Sequence, residues 1–259
     1  MKNIFLPIDY LSYLIKAKGA QGIHSPFVFE LYNKVIRESQ NYYEFSPIEQ
    51  LRQRLLHSED VIEVIDFGAG GKGTSSRKVK DITGKSAIKP KQGRMLFRLV
   101  NFQQPRNMVE MGTSLGISTL YQHKACPEAN MITMEGSAAV SKIAGDNFRI
   151  LKADSIKRVV GDFAETLPGV IKDLPFVDYV FFDGNHRKEA TLQYFHAFLP
   201  KASPTCVFIF DDIRWSKGMQ EAWNEIIKEP EAKVTIDLFS FGLVFFNPSR
   251  EKQHFVLKY

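Results

Sequence analysis

The strongest constraint on this chain is an alternation that runs through more than half of it. Short apolar runs of strand type stand at 107–111, 130–134, 157–161, 177–183, 205–210, 233–239 and 241–247. Segments with helical apolar spacing fill most of the gaps, at 115–125, 137–152, 163–172, 187–198 and 217–228. Strands that alternate with helices predict a parallel sheet buried on both faces. The last two strands have only Ser240 and Phe241 near their junction, too little for a crossover, so they predict an antiparallel hairpin. The fold class is therefore α/β, with a mostly parallel sheet of seven strands.

Asn107 to Leu120 reads NMVEMGTSLGISTL: a strand-type run, a turn with Gly112 and Gly116 in G-x-x-x-G spacing, then an apolar-patterned helix. Strand, glycine turn and helix hold a nucleotide-type ligand at the carboxyl end of a parallel strand. Glycines let the backbone come close to the ligand, and the helix start offers N–H groups with no partner in the helix. G-x-x-x-G recurs by chance; its weight here comes from the next strand. Met131 to Met134 ends in Glu135, about 20 residues past the glycines, where an acid can take both hydroxyls of a ribose.

A second glycine run competes with the first. Val64 to Gly71, VIDFGAGG, also reads as a strand leading into a ligand turn. Residues 72–90, KGTSSRKVKDITGKSAIKP, contain no apolar strand and no acid where a ribose needs one. The ligand turn is therefore placed at Gly112, not Gly68. The segment after Gly68 reads as a basic flexible loop and a candidate lid over a substrate.

The glycine turn and its acid resemble those of the class I S-adenosylmethionine-dependent methyltransferases, over roughly Lys91 to Phe246. These enzymes use this three-residue glycine spacing, unlike the G-x-G-x-x-G of nicotinamide enzymes. The resemblance implies a Rossmann-like sheet with the C-terminal hairpin, and S-adenosylmethionine as cofactor. Residue by residue, it sets Glu110, Gly112, Thr113, Ser114, Gly116 and Ser118 against the cofactor. It sets Glu135 and Gly136 at the ribose, Asp162 and Phe163 on the adenine side, and Asp183 beside the methyl donor. Two of these residues carry another reading. Asp162 precedes FAETL and also reads as a helix cap, with Glu165 completing a capping box. Glu110 lies in an apolar strand, where a carboxylate is costly unless paired. It either meets the cofactor's ammonium group or a backbone N–H, or is half of a buried salt bridge.

Val177 to Trp223 carries the remaining chemistry. Asp183 closes one strand, in VDYVFFDGNHRK, and Asp211-Asp212 close the next, in TCVFIFDDIRW. Carboxyl ends of adjacent strands in a doubly wound sheet face one crevice. Three hard oxygen ligands there suit Mg²⁺ or a similar divalent cation. The arrangement resembles the catechol-type, cation-dependent O-methyltransferases, with departures. Asp212 replaces their asparagine, Asn185 stands where a second Asp is common, and His186 stands at their basic lysine. Asp-Gly-x-His is closer to a related branch acting on sugars and other natural-product hydroxyls, with histidine as base. The candidate catalytic residues are His186 and Asp183; the candidate metal ligands are Asp183, Asp211 and Asp212. The alternative is that the acids only end strands and His186 caps the helix from Arg187. Trp215 is a candidate wall of the acceptor pocket, and Trp223 a core residue.

The 259 residues allow one large α/β domain, residues 91–259, with a helical extension and basic loop in 1–90. Ser25-Pro26 and Ser46-Pro47-Ile48-Glu49 each read as a helix start, and Lys91 to Phe102 as a further helix. Cys126 and Cys206 stand far apart in no metal spacing, which suits a reducing, cytoplasmic compartment. Pro7 and Asp9 interrupt the N-terminal apolar residues, so no signal peptide is expected. No apolar run reaches the ~20 residues of a membrane span. The net charge of +5 is concentrated between Lys72 and Arg98, where Asp81 is the sole acid. That segment motivates an alternative, a methyltransferase of RNA or protein, but it has little aromatic interleaving for stacking on bases. A nucleotide-binding oxidoreductase is a second alternative. The expected partners are a small-molecule acceptor and a second copy of the chain, with no membrane and no nucleic acid.

Overall fold

In the computed structural model, residues 6–66 and 73–259 are described. The chain opens with α1 (Leu6–Lys16) and α2 (Pro26–Leu31). Ser25 caps α2 as its sequence requires: its hydroxyl accepts from the Val28 N–H at 3.5 Å, and Pro26 takes the first helical position. The other expected cap is displaced. The third helix, α3 (Phe45–Leu56), begins before Ser46, whose hydroxyl instead accepts from Gln50 Nε2 at 3.3 Å.

Next come β1 (Val61–Asp66), β2 (Gly73–Lys78), α4 (Val79–Ser86) and α5 (Pro90–Gln103). The stretch expected as a basic loop is thus a strand and a helix over residues 73–86. β2 contains no apolar run, and it forms because β1 offers an antiparallel partner along its whole length, from Val61 opposite Lys78 to Asp66 opposite Gly73. The competing glycine turn at Gly68 lies outside the described residues.

The alternating part follows: β3 (Asn107–Met111), α6 (Ile117–Ala125), β4 (Asn130–Glu135), α7 (Ala138–Ile150), β5 (Lys157–Val160) and α8 (Phe163–Asp173). It continues as β6 (Val177–Phe182), α9 (Lys188–Phe198), β7 (Ala202–Phe210), α10 (Lys217–Ile226), β8 (Val234–Asp237), β9 (Gly242–Phe245) and β10 (Gln253–Val256). Among the described residues the central sheet is mostly parallel and has eight strands, the seven expected and β10, the edge strand that the alternating tail adds parallel to β8.

The chain divides into two compact units, Ser39–Asp173 and Met1–Glu38 with Leu174–Tyr259. Neither division falls at residue 90. In the first unit β4 runs parallel between β3 and β5. β3 is buried throughout, as a strand covered on both faces must be. In the second unit β6 and β7 pair in parallel, while β9 pairs antiparallel with both β7 and β8, which is the expected terminal hairpin. Its core is aromatic: Phe182 stacks on Phe210 with ring centroids 4.4 Å apart, and Phe195, Phe198 and Phe208 surround them. Trp223 is buried there against Phe210. The tail is tied to α1, where Tyr13 donates its hydroxyl to the Leu257 carbonyl at 2.5 Å.

Candidate active site

In the Ser39–Asp173 unit, β3 ends at Met111 and the chain turns through Gly112 to Gly116 before α6 starts. Gly112 has φ 111° and Gly116 φ 84°, the left-handed region that favours glycine. A Cβ on Gly116 would also stand 2.5 Å from the Phe148 ring of α7. Within the turn, the N–H groups of Gly112 and Thr113 both donate to the Met134 carbonyl at 3.0 Å, tying the turn to the end of β4.

Glu135 stands at that end. Its Oε2 accepts the Ser114 N–H and its Oε1 the Ser137 N–H, each at 2.9 Å. Burial pushes its carboxyl above the ordinary range, opposed by hydrogen bonds from Ser137, Ser114 and Gly136 N–H. A carboxylate has about four lone-pair sites, so these three bonds leave acceptor capacity on the carboxyl group. The turn therefore holds a fixed acid beside Gly112 and Ser114, which are only partly buried.

Other expected cofactor residues are turned inward. Glu110 is fully buried and forms no ion pair among the described residues. It accepts from Thr133 Oγ1 at 2.6 Å and Gln122 Nε2 at 2.7 Å, and also from Thr119 and Ser118. Burial raises its carboxyl pKa despite those donors. Neither sequence reading of Glu110 anticipated this arrangement, since hydroxyl and amide donors replace the salt bridge. Thr113 bonds Thr133 at 2.6 Å, extending the same network to the glycine turn. Asp162 caps α8: its Oδ1 accepts the Ala164 N–H at 3.0 Å and its carbonyl accepts the N–H groups of Glu165 and Thr166. Phe163, next to it, is half-buried.

In the unit that holds Leu174–Tyr259, β6 delivers Asp183 and the loop after it His186. The His186 Nε2 to Asp183 Oδ1 distance is 3.7 Å, too long for a hydrogen bond and an ion pair only when the imidazole is protonated. Burial lowers the imidazole pKa below its usual 6.5, against the pull of the Asp212 charge. The imidazole of His186 is therefore held neutral at neutral pH. It does not cap the following helix, which starts at Lys188 after Arg187 with no side-chain cap bond. Asn185 takes φ 52° and donates its amide to Tyr194 Oη at 3.2 Å.

β7 stops at Phe210, so Asp211 and Asp212 lie past the strand. The Asp211 Oδ1 accepts the Asp212 N–H at 2.8 Å, and Asp212 turns at φ 54°. Among the described residues, no three His, Cys, Asp or Glu side chains stand together as a metal-binding group. The donor set expected from Asp183, Asp211 and Asp212 is thus not gathered as a cation site among the described residues. Trp215 is 61% exposed, so it packs into no core.

Sequence reasoning passed over Arg214. Its guanidinium is bidentate to Asp237, at 2.7 and 2.5 Å, and donates to the Phe239 carbonyl at 2.8 Å. This pair clamps the turn after β7 to the end of β8. No spacing signals it, because the partners are 23 residues apart on different elements.

Residues 109–213 match a family described as a methyltransferase domain. A catechol O-methyltransferase of Mycobacterium tuberculosis is 31% identical over 129 residues, covering 49% of this chain and 57% of that protein. A catechol O-methyltransferase of Niastella koreensis is 28% identical over 144 residues, covering 54% of this chain and 64% of that one. The chain spans less than two thirds of the length of these relatives. An O-methyltransferase of Bacillus cereus, solved in complex with SAH, superposes with a TM-score of 0.57 at 19% identity, covering 85% of this chain and 97% of that one, which is a likeness of fold. No helix among the described residues is long and apolar enough to cross a membrane.

Proposed function

We propose that this chain, whose residues 109–213 match a family described as a methyltransferase domain, is an enzyme that moves a methyl group from S-adenosylmethionine to a hydroxyl of a small metabolite. The observation that carries this reading is Glu135, held at the end of β4 by the N–H groups of Ser114 and Ser137 beside the Gly112–Gly116 turn. A diol-binding acid beside a glycine turn fits the ribose of such a cofactor. The relatives named as catechol O-methyltransferases, and the neighbour solved with SAH, support the same class.

S-adenosylmethionine supplies a methyl group on a positively charged sulfur, open to in-line displacement. The chain's part is to bind, orient and deprotonate. Glu135 and Gly136 hold the ribose, and the glycine turn admits the rest of the cofactor. Asp162 and Phe163 serve the adenine side. An alcohol is a poor nucleophile until its proton leaves, and His186, kept neutral by burial, accepts that proton. With the cofactor held by Glu135 and Gly136, the deprotonated oxygen would take the methyl group and the carbon–sulfur electron pair would return to sulfur. Asp183 stabilises the imidazolium so formed from 3.7 Å. No step is assigned to a divalent cation, since the three aspartates do not gather as ligands. The acceptor is a small molecule, and the chain works as a homodimer in this reading.

Binding calorimetry with S-adenosylhomocysteine and with NAD tests the cofactor, and labelled methyl transfer to a panel of hydroxylated acceptors tests the reaction. Binding of NAD but not of S-adenosylhomocysteine would sink the methyltransferase reading and favour an oxidoreductase on a similar sheet.

A further inference from the structure

The reaction above leaves residues 61–86 without a task. A two-stranded hairpin such as β1–β2 is marginally stable by itself, so it must be held from outside. β1 packs against α7, and α4 packs against α3 and buries Val79 and Thr83. Two hydrogen bonds then tie this segment to the residues around Glu135. The Ile65 N–H donates to Ser137 Oγ at 3.4 Å, and the Ser86 hydroxyl, at the end of α4, lies 3.0 Å from the Ser114 hydroxyl. The direction of the second bond follows by proton count. A hydroxyl has one proton, and Ser86 gives its own to the Ile82 carbonyl at 2.8 Å, within α4. Ser114 is therefore the donor, and Ser86 is an acceptor fixed by its own helix.

Ser114 needs such an acceptor. The Thr113 carbonyl accepts the Gly116 N–H at 2.9 Å, which closes a four-residue turn with Ser114 and Leu115 at its centre. Ser114 has φ 47°, and Leu115 does not have a positive φ. A positive first central residue followed by an ordinary one is the pattern of a type II′ turn, where glycine is the usual residue. In a serine that φ is strained, and it persists only where the surroundings over-determine it. Both donors of Ser114 do this: the backbone N–H goes to Glu135 Oε2 at 2.9 Å, and the hydroxyl goes to Ser86. The residue that fixes one oxygen of Glu135 is thus itself held in a strained conformation from α4.

We propose that Ser86 is a positioning residue for the cofactor carboxylate: it holds Ser114 in the left-handed conformation from which the Ser114 N–H meets Glu135. The task of α4 is to deliver that acceptor. This rests on reading Gly112 to Glu135 as the cofactor turn. A helix that only packs on α3 predicts no dependence of Glu135 on the Ser86 hydroxyl.

Calorimetry of S-adenosylhomocysteine binding to the full chain and its variants tests it. Ser86→Ala and Ser114→Ala should each weaken binding by about threefold or more, and the double variant by no more than either, since all three lose the same bond. Ser114→Gly should bind within about twofold of the unsubstituted chain, because glycine takes this φ without strain. Adding Ser86→Ala to Ser114→Gly should then change nothing. An equal loss from Ser86→Ala with and without Ser114→Gly would mean that Ser86 acts by packing alone, and overturns the proposal. So does a loss in Ser114→Ala with none in Ser86→Ala, which would put the Ser114 hydroxyl on the cofactor itself. Amide exchange in the unliganded chain, read by nuclear magnetic resonance, separates the proposal from the cofactor reading. The Ser114 N–H should exchange faster in Ser86→Ala, and an unchanged rate overturns the proposal. Failure of every form to bind S-adenosylhomocysteine rejects the cofactor reading, and the exchange rate at Ser114 then decides by itself whether Ser86 holds the turn.

Discussion

Ser114 and Ser137 hold one carboxylate from two sides, each donating its backbone N–H to a different oxygen of Glu135 at 2.9 Å. The residues lie on separate turns, after β3 and after β4, so the contact that fixes the acid also fixes the two turns. Glu135→Ala should therefore remove a ribose ligand and loosen the glycine turn together. Hydrogen bonds to a charged group contribute roughly 1.5–3 kcal/mol, so S-adenosylhomocysteine affinity should fall by about 10–100-fold. Calorimetry reads the affinity, and far-ultraviolet circular dichroism checks the fold. Unchanged affinity in a folded variant would remove Glu135 from the cofactor site.

Gly116 separates the geometry of the turn from its chemistry. Its φ of 84° strains any side chain, and a Cβ would meet the Phe148 ring at 2.5 Å. Gly116→Ala should cost about 1–3 kcal/mol of unfolding free energy. Gly73→Ala, with nothing near its Cβ, serves as the control. Urea denaturation measures both, and equal midpoints would contradict the packing described.

The parallel sheet was legible because buried strands and their crossover helices leave apolar runs at regular intervals. β3, β4 and β6 stand within a residue of their expected ends for that reason. β2 was not legible. Its side chains bury little, and its strand character comes from the pairing that β1 offers rather than from its own composition. Glu135 could be placed from its distance to the glycines. The surroundings of Glu110 could not, because Thr119, Gln122 and Thr133 reach it from α6 and β4. The three aspartates show the limit of strand-end reasoning: where β7 stops decides which way Asp211 and Asp212 face, and sequence places such an end only to within a few residues.

His123 makes a prediction about acid stability. Burial pushes its imidazole down to about 4, and its Nδ1 has no hydrogen-bond partner. The unfolded chain takes up that proton near pH 6.5, while the folded chain resists it until about pH 4. Folded stability should therefore fall as pH falls between those values, by on the order of 3 kcal/mol from this group. His186 and His254, also lowered by burial, add slope of the same sign. His123→Leu should flatten the decline, as measured by urea midpoints between pH 7 and pH 4. An unchanged slope would mean that His123 titrates normally in the folded chain.

The last prediction concerns His186. If its imidazole accepts the hydroxyl proton, His186→Ala should slow turnover by about 10²–10⁴-fold while leaving S-adenosylhomocysteine affinity near its original value. The rate should recover in part at high pH, where the hydroxyl ionises unaided. In the unsubstituted chain the base is active when unprotonated, so rate falls as pH drops through the His186 pKa. Burial sets that pKa below the usual 6.5, and the acid limb of the profile should lie correspondingly lower. Turnover should survive a chelator, since Asp183, Asp211 and Asp212 do not assemble as ligands. Loss of turnover in chelator with recovery on added Mg²⁺ would show that the aspartates regroup around a cation. A histidine that only shapes its loop would leave turnover per folded molecule and the pH profile unmoved, and that outcome would remove it from the chemistry.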